Sequence, residues 1–275
     1  MTTLPRIHVY RRRKGFVAVN WPELWEYREL LYFLVWRDVK VRYKQAALGA
    51  GWAVLQPTLA MVIFTVIFGR LVKLPTDGSP YPVFVYAGLL PWTFFSNAVS
   101  TASNSLVNNA NVITKVYFPR IMVPLAAVGA GLVDFAVAFL LLIVLLVWYH
   151  IPLTIWFLMV PVYLLLAIIA AIGVGMILSA LTVNYRDFRW VLPFLMQVWL
   201  YATPVTYASS VVPEPWRVAF GVNPMSGIVD GFRAAVLGRP PIWTLVETSA
   251  LVAVVTLVLG LVYFQQVERT FVDVV

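Results

Sequence analysis

The amino-acid sequence predicts an all-α integral membrane protein with six transmembrane helices, an N-terminal amphipathic interface helix and short re-entrant helices in the last outer loop. Of the 275 residues, 61% are hydrophobic and 12% are charged, whereas soluble domains carry ~45–50% apolar and ~25% charged residues. The mean hydropathy is +0.85. So few charged side chains cannot cover a soluble domain. The same composition excludes disorder, a coiled coil and a nucleic-acid-binding module, despite a formal net charge of +8.

The six crossings are predicted from runs with few or no charges, since a helical span needs about 20 apolar residues. The run 121–185 is interrupted only by Asp134 and is long enough for two crossings, separated at 148–152. Each of the other runs fits one crossing; they are 45–69, 78–114, 190–213 and 242–264. The predicted division of the chain is a segment 1–44 with the interface helix, a membrane domain 45–265 and a tail 266–275.

The distribution of basic residues predicts the orientation. An even number of crossings places both termini on one side, where fifteen of the 20 Lys and Arg residues lie, against five on the other side. Because cytoplasmic loops carry the excess of Lys and Arg, we expect both termini and the loops 108–120 and 184–189 in the cytoplasm. We expect no signal peptide, because too few apolar residues follow the basic run Arg11–Lys14.

The segment 20–44 predicts an amphipathic helix before the first crossing. Asn20 and Glu23 have the spacing of a capping box, and Pro22 falls in the first turn. One face carries an apolar stripe of Leu24, Tyr27, Leu31 and Leu34. Such a helix lies in the headgroup layer, where it serves either as a lipid anchor alone or also as a docking surface for a cytoplasmic partner.

The outer segment 206–241 is long and rich in Pro and Gly. Loops of this length are usually functional, and the apolar content predicts that parts of the segment re-enter the membrane against protein. Within it, we expect Ser226–Leu237 to form a short helix that ends at Gly238.

Residues for catalysis or cofactor binding are scarce. The dipeptide Gly-Lys never occurs, which excludes ATP binding by a P-loop. Cys is absent, and His8 and His150 are expected on opposite sides of the membrane, so we expect no metal site and no bound cofactor. Asp134 is either part of a proton relay or a neutral or paired carboxyl group packed against another helix. The lack of a second buried acid, His or Lys nearby favours the latter.

Polar and aromatic side chains recur at helical spacing in three of the apolar runs. Amides and hydroxyls donate and accept hydrogen bonds and aromatic faces offer flat apolar contacts, so this mixture suits an uncharged sugar path. The same stripes are typical of helix packing and of interfacial belts; periodicity alone leaves both open and slightly favours packing. The stripes are Thr93, Asn97, Ser100, Asn104 and Asn108; Trp190, Phe194, Gln197 and Tyr201; and Phe64 with Phe68.

Short motifs are distributed over nearly the whole chain beyond residue 20. They are Trp36–Gln45, Leu48–Gly49, Trp52–Pro57, Tyr86–Trp92, Asn111–Arg120, Asn184–Asp187, Asn223–Met225 and Gly231–Arg233. In combination, these motifs resemble those of type-2 ABC transporter permeases that export polysaccharides such as O antigen, capsule or teichoic acid.

The resemblance implies a homodimer of six-span subunits in the bacterial inner membrane, bound to two copies of a separate cytoplasmic ABC ATPase subunit that uses ATP and Mg. It implies a transport subunit rather than an enzyme, and the passage of a lipid-linked glycan on an undecaprenyl pyrophosphate anchor. It assigns the interface helix to the region Pro22–Trp36, coupling to the loop Asn111–Arg120, and the re-entrant helices to Pro213–Leu237.

With the resemblance, the residue patterns become expected sites. Coupling to the ATPase is expected of Glu26, Arg28, Lys115, Tyr117, Phe118 and Arg120. The substrate path is expected to be lined by Phe64, Phe68, Trp92, Thr93, Asn97, Ser100, Asn104, Phe194, Gln197 and Tyr201. The pyrophosphate is expected near Arg37, Lys40, Arg42 and Lys44, for which attraction to lipid headgroups is an equal alternative.

Two other classes of function remain open. A type-2 permease for a drug or a small lipid would share this topology and the ATPase partner. A membrane-embedded glycosyltransferase would need a carboxylate pair or a metal site at one membrane face, for which Asp134, Asp187 and Glu247 are too scattered.

Overall fold

The computed structural model describes residues 21–44, 49, 51–115, 117–185 and 187–268, which are helical with no β-strand in those ranges. The all-α prediction is thus confirmed, whereas the predicted cap residue Asn20 and the segment 269–275 lie outside the described residues. The helices are α1 (Trp21–Glu26), α2 (Arg28–Lys44), α3 (Gly51–Phe64, continued as a π-helix over Thr65–Leu71), α4 (Tyr81–Asn108), α5 (Ala110–Ile113), α6 (Met122–Trp148), α7 (Val160–Asn184), α8 (Phe188–Ala202), α9 (Glu214–Gly221), α10 (Pro224–Val236) and α11 (Trp243–Glu268), with 3₁₀ turns at Ile155–Met159 and Ser209–Val211.

Five helical segments of the described ranges are long and apolar enough to cross a membrane, and each coincides with a predicted crossing. They are Gly51–Leu71, Tyr81–Asn108, Met122–Trp148, Ile155–Asn184 and Trp243–Glu268. The run 190–213 differs, because its helix α8 has only 15 residues and measures ~22 Å, short of the ~30 Å hydrocarbon core. Helix α8 ends where Thr203 adopts the extended backbone that residues before a proline prefer.

Helix α4 is the centre of the bundle. In its most apolar stretch 78% of the residues are buried, and it packs against α3, α6, α7 and α10. The fully buried Tyr86 donates a hydrogen bond from its hydroxyl to the backbone carbonyl of Ala138 in α6, at 2.9 Å. Phe95 of α4 contacts Trp199 of α8 edge to face, with ring centroids 5.2 Å apart. The helix that carries the longest polar stripe is therefore also the main packing element.

Helices α1 and α2 form the amphipathic segment predicted before the first crossing. Its apolar stripe packs on protein, since Leu34 is buried against Met122 and Ala126 of α6. The opposite face carries exposed aromatic residues, which are the type that favours the membrane interface. They are Trp25, Tyr32, Phe33 and Trp36. The predicted stripe therefore attaches the segment to α6, and a second, aromatic face is available to lipid.

The outer segment 206–241 contains two short helices, α9 and α10. The expected helix over Ser226–Leu237 is α10, which begins two residues earlier behind a cap: the side-chain oxygen of Asn223 accepts a hydrogen bond from the backbone N–H of Met225 at 3.0 Å. Helix α10 packs against α4, α7 and α11. Helical backbone hydrogen bonds and protein contacts are the conditions under which such a segment is stable at membrane depth.

Arg233 of α10 ties the outer segment together from inside. Its guanidinium is buried, donates to the carbonyl oxygen of Pro204 at 2.5 Å and lies 4.0 Å from the ring centre of Phe84. Burial lowers the pKa of Arg233, and the nearby carboxylate of Asp230 opposes that shift. The turn after α8 is thereby held against α4 and α10.

Candidate functional site

Helices α1, α2 and α5 lie at one end of the bundle, here called the basic end. Helices α3, α4 and α6 indicate where the membrane boundary lies at this end. Helix α3 begins there at Gly51, whereas α4 begins at Tyr81 and α6 ends at Trp148 at the opposite end. Because about 20 helical residues cross the hydrocarbon core, the boundary at the basic end falls near Gly51, Thr101 and Gly129. The last turns of α4 and the first turns of α6 project beyond it, and α2 packs beside α6.

A cavity of ≈ 340 Å³ lies at this boundary between α2, α3, α4 and α6. Its volume is at the lower end of the range for ligand-binding cavities. Uncharged polar residues from α3 and α4 line it, with two charged residues and a tyrosine at the end of α2 and in α6. The polar and charged lining residues are Gln56, Thr93, Asn97, Ser100, Thr101, Arg42, Tyr43 and Asp134.

Asp134 is paired with the end of α2. One carboxylate oxygen accepts a hydrogen bond from the guanidinium of Arg42, and the other accepts one from the hydroxyl of Tyr43. Burial, followed by the hydrogen bond to Asp134, raises the pKa of Tyr43 to about 12, so the phenol stays protonated as a donor. Of the two interpretations of Asp134 from the sequence, the structure favours the paired carboxyl group.

Several polar side chains that line the cavity have no hydrogen-bond partner among the residues that the structure describes. Among the described residues, the side chains of Gln56, Thr93, Asn97 and Ser100 make no hydrogen bond to another residue, although the backbone carbonyl of Asn97 accepts one from Thr101 at 2.8 Å. Two amides and two hydroxyls therefore present free donors and acceptors to the cavity. This set is compatible with water or with a ligand rich in hydroxyl groups.

The other α4 and α3 residues expected on the path lie elsewhere. The amide of Asn104 donates to the backbone carbonyl of Ser100 at 3.0 Å and does not line the cavity. Trp92 is buried in the core, with its ring centroid 6.4 Å from that of Trp199. The rings of Phe64 and Phe68 contact each other at 5.7 Å and pack against the core near the opposite end of the bundle.

The stripe on α8 does not meet the stripe on α4 within one chain. Phe194 and Tyr201 are 68% and 55% exposed, and Gln197 is exposed between them. The helix contacts α4 through its other face, where Trp199 packs on Trp92 and Phe95. A path that uses both stripes would therefore need to run along the outside of a single subunit.

The loop expected to couple to the ATPase is anchored by one aromatic residue and presents another. Phe118 is 6% exposed in a cluster with Leu106 and Phe264, onto which Leu24 of α1 also packs. Tyr117 is 63% exposed. The loop is thus packed against α1, α4 and α11 at the basic end.

Arg120 and Lys115 lie at the two sides of this loop. The guanidinium of Arg120 donates to the backbone carbonyl of Glu268 in α11 at 3.0 Å, and its backbone N–H lies 3.3 Å from a carboxylate oxygen of the same residue. Lys115 is exposed. On α1 and α2, Glu26 is exposed, and Arg28 donates to the carbonyl oxygen of Trp25 at 3.1 Å. Their proposed contact with an ATPase stays a prediction.

The four cations expected near the pyrophosphate have different environments. Arg37 pairs with the neighbouring carboxylate of Asp38 at 2.8 Å, and Arg42 pairs with Asp134. Lys40 is exposed, with its ammonium group 5.3 Å from the ring centre of Trp36. Lys44 is exposed at the end of α2. Two of the four charges are therefore matched by a carboxylate.

The sequence model of the ABC-2 type transporter matches residues 29–237. The match runs from the first turn of α2 to the end of α10 and includes all the residues named above as lining the cavity. The chain belongs to the ABC-2 type transporter family. It is therefore the transmembrane permease of an ABC transporter, and the resemblance inferred from the sequence motifs is confirmed.

Several curated relatives of this permease are named for the export of O antigen or the transport of polysialic acid. It is 31% identical to the O-antigen export system permease protein RfbA of Myxococcus xanthus, over 77% of this chain and 82% of the relative. It is 27% identical to a protein of the same name from Klebsiella pneumoniae, over 90% and 95%. It is 25% identical to the polysialic acid transport protein KpsM of Escherichia coli, over 85% and 91%.

Sequence reasoning missed most of the residues that line the permease cavity, among them Tyr43, Trp52 and Gln56. Tyr43 and Gln56 stand inside motifs that were assigned to the family but not to a site, and Trp52 lies on the same face of α3 as Gln56. Gln56 carries a detectable signal, since it is the one amide in the apolar run 51–71. Tyr43 carries none, because its partner Asp134 is 91 residues away in the sequence.

Proposed function

We propose that the chain is the membrane subunit of an ATP-driven exporter that moves a lipid-linked polysaccharide, anchored on undecaprenyl pyrophosphate, across the bacterial inner membrane. The observation that carries the proposal is the alignment with an O-antigen export permease over 90% of this chain. The polar cavity at the membrane boundary, whose two charged lining residues pair with each other, agrees with a cargo rich in hydroxyl groups.

The proposed assembly is a homodimer of six-span subunits with both termini in the cytoplasm, bound to two copies of an ABC ATPase subunit. In this arrangement α8 and the turn after it form the remaining crossing, and the basic end faces the cytoplasm, in line with the excess of Lys and Arg there. Lys40 and Lys44, which are exposed, are the cations we propose for the pyrophosphate.

The proposed path lies between two copies of the chain, along the exposed faces of α3 and α8. Gln197 supports this placement because its amide makes no hydrogen bond to a described residue, and an amide that faces lipid is costly. Phe194 and Tyr201, on the same face, offer flat surfaces for the C–H faces of sugar rings.

The proposed drive comes from the ATPase subunits. Binding of ATP shifts the permease towards a second conformation only by the difference in affinity for the two conformations. The loop around Lys115 and Tyr117 and the surface of α1 would receive that motion. Because Leu34 and Arg42 attach α2 to α6 at two points, a displacement of α2 is transmitted to a membrane span.

The function is tested by deleting the gene and detecting the glycan in intact and in lysed cells. We expect the surface glycan to disappear and the lipid-linked glycan to accumulate inside, with recovery when the chain is supplied again. Unchanged surface glycan would exclude the proposal. A gain in sensitivity to drugs or detergents without a glycan defect would instead indicate the alternative, a permease for a drug or a small lipid.

The path is tested by cross-linking, for which the chain is suited because it has no Cys. Gln197→Cys is expected to cross-link to the same position of a second copy through a flexible bis-maleimide. Leu251→Cys, on the exposed face of α11, is the matched control and is expected to remain monomeric. The reverse pattern would place the contact between copies on α11 and exclude the path along α8.

A further inference from the structure

We infer that the cavity between α2, α3, α4 and α6 is a binding site for one uncharged, hydroxyl-rich group at the membrane boundary. A sugar residue of the cargo and the glycerol headgroup of a lipid share this chemistry. The chemistry follows from the cavity itself, and only the choice of the sugar as its source rests on the proposed function.

The first argument is that the cavity presents polar groups that need partners. Gln56, Thr93, Asn97 and Ser100 line it and make no hydrogen bond to another described residue. Groups of this kind are stable at membrane depth only where water or a polar ligand meets them. A volume of ≈ 340 Å³ corresponds to about ten water molecules, which is room for a ligand that replaces them.

The second argument is that the site is electrically neutral. Among the described lining residues, Arg42 and Asp134 are the only charged ones, and they pair with each other. An anion would have to displace Asp134 from Arg42 and then face its carboxylate, and a cation would face the guanidinium. The hydroxyl of Tyr43 is also engaged by Asp134. The free hydrogen-bonding groups are therefore amides and hydroxyls, which match the hydroxyl groups of an uncharged ligand.

The third argument is the shape of the lining. Trp52 stands at the cavity and is 53% exposed, and Phe94 and Phe135 form an apolar wall. A sugar presents hydroxyl groups at its edge and C–H groups on its faces, and aromatic side chains pack well against such faces. The polar groups of α3 and α4 and this aromatic wall together bind both surfaces of such a group.

The experiment uses three photoreactive probes with the same octyl chain and different headgroups: glucoside, glycerol ester and phosphate. The full chain is reconstituted in vesicles of phosphatidylethanolamine and phosphatidylglycerol, irradiated with each probe and mapped by peptide mass spectrometry. We expect the uncharged probes to label residues 51–57 and 93–101, and the phosphate to leave them unlabelled. Labelling by the glucoside alone identifies a sugar as the ligand, and labelling by the glycerol ester alone identifies a lipid headgroup.

A matched pair of variants tests whether the polar lining carries the binding. Thr93→Val removes a hydroxyl that faces the cavity, whereas Thr58→Val removes one that bonds to the carbonyl of Val54 within α3. The loss of one hydrogen bond predicts labelling that needs about 3–10-fold more glucoside in Thr93→Val, and no change in Thr58→Val. Asn97→Leu is expected to abolish labelling.

A charge switch tests the neutrality of the site. Asp134→Asn leaves Arg42 without a carboxylate, so the phosphate probe is expected to begin labelling the cavity. The inference is overturned if no uncharged probe labels the cavity, or if the phosphate labels the unaltered chain as strongly as the glucoside. The two proposals can fail separately. If the glucoside labels the cavity but deletion of the gene leaves glycan export intact, the binding site is supported and the proposed function is excluded.

Discussion

Gly260 of α11 lies directly against Gly173 of α7: a Cβ atom added to Gly260 would stand 2.4 Å from the carbonyl oxygen of Gly173. Small residues allow such a close approach of helices in membranes. We therefore expect Gly260→Ala to force the two spans apart and to destabilise the protein by about 1–3 kcal/mol, measured as thermal unfolding in detergent. Gly131→Ala is the control, because its added Cβ would meet Phe94 at an ordinary 3.5 Å.

The pairing of Arg42 with Asp134 predicts coupling between the two side chains. Asp134→Asn and Arg42→Gln each leave one partner without its charge match, and each is expected to lower the unfolding free energy by about 1–3 kcal/mol. The double variant is expected to be less destabilised than the sum of the two. Additive losses in this double-mutant cycle would mean that the pair contributes no interaction energy.

The phenol of Tyr43 predicts a dependence of stability on pH. Its pKa is raised in the folded protein to about 12 from 10.0, so between these values the folded state retains a proton that the unfolded state has lost. Stability then falls as the pH rises from about 10 to about 12. In Tyr43→Phe this part of the decline should be missing. The unfolding free energies of the two proteins, measured with denaturant, should therefore approach each other as the pH rises over that range. Parallel curves would contradict the assignment.

Phe118 is buried and its neighbour Tyr117 is exposed. Substitutions of these two residues therefore distinguish anchoring of the loop from contact with a partner. Phe118→Ala opens a cavity under the loop and is expected to cost about 3–5 kcal/mol of stability. Tyr117→Ala removes an exposed ring and is expected to change stability far less. If the loop couples to an ATPase, Tyr117→Ala should lower the ATPase activity of the reconstituted complex. Unfolding curves and ATP hydrolysis, measured on both variants, distinguish the two roles.

Five crossings could be predicted from the sequence because membrane spans are defined by composition over ~20 residues. The run 190–213 contains a helix of only 15 residues, α8, because the absence of charge does not specify where a helix ends; the sixth crossing stays a prediction. Pro204 carried the missing signal, because residues before a proline leave the helical conformation. Hydropathy located an apolar segment there, and backbone geometry divided it into α8 and a turn.

The sequence predicted which face of α4 carries the polar stripe, but not how far along the helix the cavity extends. Thr93, Asn97 and Ser100 line the cavity, and Asn104 shares their helical face. Asn104 lies 11 residues beyond Thr93, which is ~16 Å along the helix, and passes the end of the cavity. The pairing of Asp134 could not be read at all, because Arg42 is 92 residues away in the sequence.

The attachment of α2 has a mechanical consequence. The helix has 17 residues and is ~25 Å long. Arg42 near its end pairs with Asp134 of α6, and Leu34 near its middle packs on α6. Because both contacts are on α6, a tilt of α2 by ~10° about Arg42 would move its other end by ~4 Å and would displace Leu34 against α6. Arg42, Tyr43 and Asp134 also line the cavity. A tilt of α2 therefore changes the shape of the cavity.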